Sequence, residues 1–97
     1  MNINWTHHAV KRCWTRMKLS DSDKSMDLFH DKIKDNLENR VKQKDNRYRI
    51  PFKVAGQCYI AVGTINHQGF LVITVMNVNS AKYKRVKKKE WINERVK

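Results

Sequence analysis

The sequence predicts one α+β domain, with two N-terminal helices packed on a three- to four-stranded antiparallel sheet and a basic C-terminal tail or short helix. Three observations predict it. Apolar residues recur at three- and four-residue steps through the first half of the chain, then at two-residue steps after Asn46. The chain has 97 residues, enough for one modest core and a single domain over 1–97. Three glycines, one proline and 40% hydrophobic residues make a globular composition rather than a disordered one.

The elements follow in order. Asn2 to Trp5 is a short strand or a lead-in. Thr6 suits a helix N-cap, because its hydroxyl can accept an orphan backbone N–H. A first helix is expected over about 7–17, with Ala9, Val10, Cys13, Trp14 and Met17 as its inward stripe and His8, Lys11, Arg12, Thr15 and Arg16 facing outward. Ser20 to Asp23 is a cap-rich connection, and a second helix is expected over about 23–44 on the stripe Met26, Phe29, Ile33, Leu37 and Val41.

The period then changes to two. Tyr48, Ile50, Phe52 and Val54 alternate with Arg47, Arg49, Pro51 and Lys53 in a strand over about 47–54. Pro51 cannot donate to a ladder, which marks this strand as an edge. Ala55-Gly56 is a turn, and a second strand covers about 57–63. After a turn at Asn66 to Gly69, a third covers about 70–77; it is apolar on both faces and is expected at the centre of the sheet. The basic tail covers 81–97, with a short helix around 87–96 anchored by Trp91.

Charge is the strongest compositional signal. Lys+Arg is 21 against nine Asp+Glu, a formal net charge of +12. Seven of the nine acids fall within residues 21–45, and residues 1–20 and 46–80 carry none. The second helix is thus mixed in sign while the first helix, the strands and most of the tail are basic. Such a surface concentrates polyanions and binds them partly by releasing counterions. RNA is the expected partner. An anionic membrane is the competing surface, because Val86, Trp91, Ile92 and Val96 lie opposite lysines in the tail. No apolar run approaches the ~20 residues of a membrane-spanning helix, and no signal-peptide core is present, so a cytoplasmic setting is expected.

His8, Arg12 and Arg16 are spaced i, i+4, i+8 and form one ridge along the first helix, flanked by Lys11 and Thr15. Cleavage of RNA by 2′-OH attack needs proton carriers near neutral pH and cations on the phosphorane. Histidine and arginine are the residue types that supply them. An ordinary solvated helix face is the other reading of the same pattern. His30 lies on the second helix and His67 in a turn, neither with an evident partner. The adjacent His7 and His8 have no carboxylate or thiolate at ligand spacing, so no metal site is expected. No small-molecule cofactor is expected either, as no Gly-rich phosphate loop is present. Cys13 and Cys58 read as a reduced, buried pair.

Further RNA-binding candidates are Arg47, Arg49 and Lys53 on one strand face, and Lys84, Arg85, Lys87, Lys88 and Lys89 in the tail. Tyr83 among the tail cations suits base stacking, or else it packs on the core. Thr74 is the single hydroxyl within Phe70–Met76; it is either a satisfied core threonine or a marker of the substrate face.

The run from Thr6 through His8-Ala9, Arg12 and Arg16 to Ser20, with Ile73-Thr74-Val75 later, resembles the opening helix and strand of RelE-type toxins. More broadly it resembles the barnase–EndoU–colicin–RelE group of ribonucleases, over about residues 6–78. The resemblance implies a helix–helix–sheet order and metal-independent cleavage of mRNA or tRNA. It also implies an acidic antitoxin or immunity protein as partner. By position it assigns the catalytic roles to His8, Arg12, Arg16 and Thr74. No glutamate is placed as a strand-borne general base, so the implied chemistry here runs on His, Arg and Lys. Two other classes fit the residues: a non-catalytic nucleic-acid-binding regulator, for which a phage origin is one option, and a small basic inhibitor that covers an acidic host surface.

Overall fold

The computed structural model describes residues 1–17, 24–43 and 46–96, with side chains described up to residue 88. The expected connection Ser20 to Asp23, the start of the second helix at Asp23, its last turn at Lys44, and the side chains of Lys89 and Trp91 lie outside the described residues. The α+β class is as expected, but the sheet is mixed and has five strands in the order β1-β5-β4-β3-β2. These are β1 (Ile3–Trp5), β2 (Val41–Lys42), β3 (Arg47–Val54), β4 (Gln57–Asn66) and β5 (Gly69–Val78). The helices are α1 (His7–Arg16), α2 (Met26–Asp35) and α3 (Ser80–Val96).

The first residues form a strand parallel to β5, pairing Ile3 with Phe70 and Trp5 with Val72. Three residues are too few for periodicity to reveal. Thr6 then caps α1 as expected, its Oγ1 accepting from the Ala9 N–H at 3.0 Å. Ser25 does the same for α2 through the Leu28 N–H at 3.4 Å.

The second helix is much shorter than expected. It stops at Asn36, whose side-chain amide donates to the Lys32 carbonyl at 2.8 Å and so occupies the helix's own terminal acceptor. A 3-10 turn (Leu37–Asn39) follows, closed by Arg40 Nη1 donating to the Leu37 carbonyl at 3.0 Å. Val41 then enters β2, where it pairs with Arg49. The three- and four-residue stripe continued through Leu37 and Val41, but these two side chains are buried on opposite sides of the sheet.

The β3–β4 hairpin turns through Ala55 and Gly56, both at positive φ (50° and 78°), the geometry that matches strand twist in a two-residue loop. β3 is not the outermost strand, since β2 lies beyond it. β2 pairs only with Arg49 and Tyr48, however, so at Pro51 the outer side of β3 carries no ladder and a missing N–H costs nothing there. Nor is β5 central. That place belongs to β4, with β5 between β4 and the short β1.

The β4–β5 register slips between Val62 and Gly63, which face Thr74 and Val72, leaving Ile73 as a bulged extra residue. Gly63 is required there. A Cβ at this position would run into the Leu71 carbonyl and the Phe70 ring.

Two cores result. On one sheet face, Ala9, Cys13, Phe29 and Ile33 of the two helices close over Ile50, Phe52, Tyr59, Phe70, Val72 and Val75. Phe29 packs edge-on against both Phe52 and Tyr59, with centroids 5.7 and 4.9 Å away. On the other face Val86 of α3 meets Val41 and Ile60, with Val62, Met76 and Val78 around them. The tail is therefore a helix from Ser80 onward rather than only around 87–96. Its start is capped by Asn79 Oδ1, which accepts from the Lys82 N–H at 2.8 Å. Cys13 and Cys58 are both free and buried, as expected, with Cys13 in the helix-side core and Cys58 opposite Lys53 on the other face.

Candidate nucleic-acid interface

The site is built on the edge of β5. β1 covers that edge only through Val72, and from Ile73 onward its outer carbonyls have no strand partner among the described residues. α1 lies against the stretch left open. The Thr6 N–H donates to the Val72 carbonyl at 3.1 Å, and the Thr6 hydroxyl reaches Ile73 O at 3.5 Å. At the other end of α1, Arg16 Nη1 donates to the Val75 carbonyl at 3.1 Å. Side chains at the two ends of one helix thus satisfy the bare strand edge, which otherwise would present unpaired acceptors.

This docking leaves the outer ridge of α1 in water. His8, Lys11, Arg12, Thr15 and Arg16 line an open cleft of about 400 Å³. His8, Lys11 and Arg12 are exposed and form no hydrogen bond or ion pair with any described residue. α1 carries no acid to neutralise them. A second cleft of about 450 Å³ shares Thr15 and Arg16 and continues over the β5 edge to Met76, Asn77, Val78 and Lys82. The two make one cationic track from the start of α1 to the start of α3. Among residues described with side chains, the acids are Asp27, Asp31, Asp35 and Glu38, all on α2 and the turn after it.

The sequence-derived candidates separate into two groups. His8, Lys11, Arg12 and Arg16 do come together. Thr74 does not join them: it is half-buried opposite Val62 on the α3 side of the sheet and lines neither cleft. Arg47, Arg49 and Lys53 share that second face, each paired with a residue of β4. Arg47 is exposed. With the Gln43 amide oxygen turned toward it, the Arg49 guanidinium donates to Gln43, Nη2 at 2.7 Å. Tyr83 is only 7% exposed, and the Lys53 and Lys87 ammonium groups lie 5.2 and 5.4 Å from its ring centroid. It packs on the core and leaves no free ring for a base. Lys84, Arg85, Lys87 and Lys88 are exposed on α3.

Sequence reasoning missed three features. Trp14 and Val10, expected in the buried stripe, are 44% and 38% exposed. His30 has a partner after all, since its Nδ1 accepts from the Trp5 indole N–H at 3.2 Å. Asn77 and Lys82 belong to the track; the only prior signal for Lys82 was its place in a basic run.

Burial pushes the Cys13 thiol up from 9.0 to about 12. It is a packing group, not a nucleophile. Among the described residues, no group of three or more His, Cys, Asp or Glu could hold a metal ion, and no helix is long and apolar enough to cross a membrane. Compared with known proteins, the chain matches no family model, no curated protein and no solved structure.

Proposed function

We propose that this chain is an RNA-acting domain, a toxin-like endoribonuclease whose proton transfer runs through His8. One observation carries the reading. An exposed imidazole shares a cleft with Lys11, Arg12 and Arg16, and among the described residues no carboxylate lines that cleft. In the scheme the imidazole takes the 2′-OH proton as the P–O2′ bond forms and the P–O5′ bond breaks. The leaving 5′-oxygen takes a proton from solvent. Arg12 and Lys11 hold the phosphate and stabilise its growing charge. Arg16, with one nitrogen already on Val75 O, fixes the helix and adds charge. Thr74 has no part in the scheme. Nothing in these steps calls for a metal ion. The same reading takes RNA as partner, an acidic neutralising protein as antagonist and the cytoplasm as the place of action.

A non-catalytic RNA-binding regulator is the second reading, favoured by the cleft's single imidazole, which provides no separate acid for the leaving group. Incubation with total RNA in EDTA at low salt distinguishes the two. Cleavage by the wild-type chain that falls about 10²- to 10⁴-fold in His8→Ala, with binding retained, supports the ribonuclease. Salt-sensitive binding without cleavage supports the regulator. Failure to bind RNA at low salt removes both.

A further inference from the structure

We infer that Trp14 is the base-stacking residue of this interface, an inference that rests on the RNA reading above. Among the aromatic side chains described, Trp14 alone is exposed, at 44%. Tyr83 is buried beneath Lys53 and Lys87, and Trp5 is half-buried with its indole N–H on His30. A large ring left in water on a helix that already presents His8, Lys11 and Arg12 is the pairing of aromatic and cation that single-stranded nucleic acid uses.

The placement is specific. His8, Lys11 and Trp14 are spaced i, i+3, i+6, a row that climbs about 9 Å along α1 while turning about 120° around it, from the cleft onto the neighbouring flank. Two such steps put the Cβ atoms of His8 and Trp14 roughly 10–12 Å apart. The stacked base therefore belongs to a nucleotide next to the one whose phosphate sits at His8. Lys24 holds its ammonium 5.5 Å from the Trp14 centroid. That cation lies over one ring face, and the inference places the base on the other. Val10, one turn earlier and 38% exposed, extends the apolar platform. Stacking tolerates every base because each has a π-face, so Trp14 gives affinity for unpaired strands rather than for a sequence. A duplex, with its bases already stacked inward, offers it nothing.

The test compares two uncleavable 2′-O-methyl oligomers of equal length, oligouridylate and its abasic counterpart, against the full-length chain. The wild-type chain should bind oligouridylate about five- to hundredfold more tightly than the abasic chain, with quenching of indole fluorescence. Trp14→Ala should lose that preference and keep both abasic binding and the salt slope. Trp14→Phe should retain most of the preference, which guards against misreading a folding defect. If Trp14→Ala weakens both oligomers equally, or neither, the inference is wrong. An unchanged preference together with altered self-association in sedimentation assigns Trp14 to a protein contact instead and overturns it too. If the wild-type chain binds neither oligomer at low salt, the RNA reading itself fails, and this inference fails with it.

Discussion

Cys13 shows how a single buried side chain sets a pH limit on the whole domain. It is 1% exposed in the helix-side core, and its thiol is pushed up to about 12 because the thiolate would be desolvated there. In the unfolded chain the same thiol ionises near 9.0. Below that pH both states hold the proton and stability is unaffected. Between 9.0 and about 12 the unfolded state releases the proton while the native state keeps it, so stability falls as pH rises. The slope approaches about 1.4 kcal/mol per pH unit. The expected result is a difference between chains: urea midpoints should decline less with rising pH in Cys13→Ala than in wild type. A parallel decline in both chains would show that the thiol is not held protonated. The same burial predicts that Cys13 reacts with thiol reagents only on unfolding. At this scale the sequence was informative, because an apolar spacing that places a cysteine between Ala9 and Met17 already implies an inert thiol. It was uninformative about Gly63, whose need to lack a Cβ comes from the bulge at its own step and from the Leu71 carbonyl and Phe70 ring on the adjacent strand.

α1 is the element on which the site depends, and it is held by its ends. Ala9 and Cys13 are buried, while Val10 and Trp14 are not, because the helix lies along an open strand edge that covers only a narrow stripe. That geometry explains both what was legible and what was not. The His8–Arg12–Arg16 ridge was readable because i, i+4 spacing makes a row on any helix. The fate of Trp14 was not, because periodicity identifies a stripe but not how wide a partner covers it. Tyr83 is the converse case: its run of lysines shows little amphipathic pattern, yet α3 docks on the second sheet face and buries it. The end of α2 was lost for a third reason, since Leu37 and Val41 keep helical spacing while serving different cores. If α1 is held by Arg16 on the Val75 carbonyl, Arg16→Met should lower unfolding stability by about 1–2 kcal/mol, the usual worth of such a hydrogen bond. Thr6→Ala should cost about 1 kcal/mol through the lost N-cap. Both are read from urea unfolding. Because the two anchors grip opposite ends of the same helix, the double variant should open α1 locally, visible as faster amide exchange in 7–16 than in β3 and β4. Uniform acceleration across the sheet would show that the anchors stabilise the domain globally and do not tether the helix.

At the scale of the molecule the governing fact is where the charges lie relative to a thin slab of 43 × 32 × 19 Å. The first helix, the strands and most of the tail are the basic segments of the chain, but they do not gather on one side. α1 and α2 share one sheet face and α3 takes the other, so continuity runs round the β5 edge through Arg16 and Lys82. A polyanion that uses the whole track must follow a bend from one face to the other, which a flexible strand can do and a stiff duplex cannot at this size. Counterion release makes the idea quantitative. Each phosphate contact contributes about 0.7 to the slope of log K against log salt for a single strand. Replacing Lys11 and Arg12 with Gln should reduce the slope for a single-stranded oligomer, and replacing Lys84, Arg85 and Lys88 with Gln should reduce it again. If one strand spans both faces, the combined variant should lose the sum of the two reductions, and a shortened oligomer should lose sensitivity to one set of changes. Asp27→Asn with Asp31→Asn on α2 should leave the slope nearly unchanged, because those carboxylates lie off the track. Were the α3 changes silent while the α1 changes acted alone, the lysines of α3 would be solvating charge only, and the interface would end at the β5 edge.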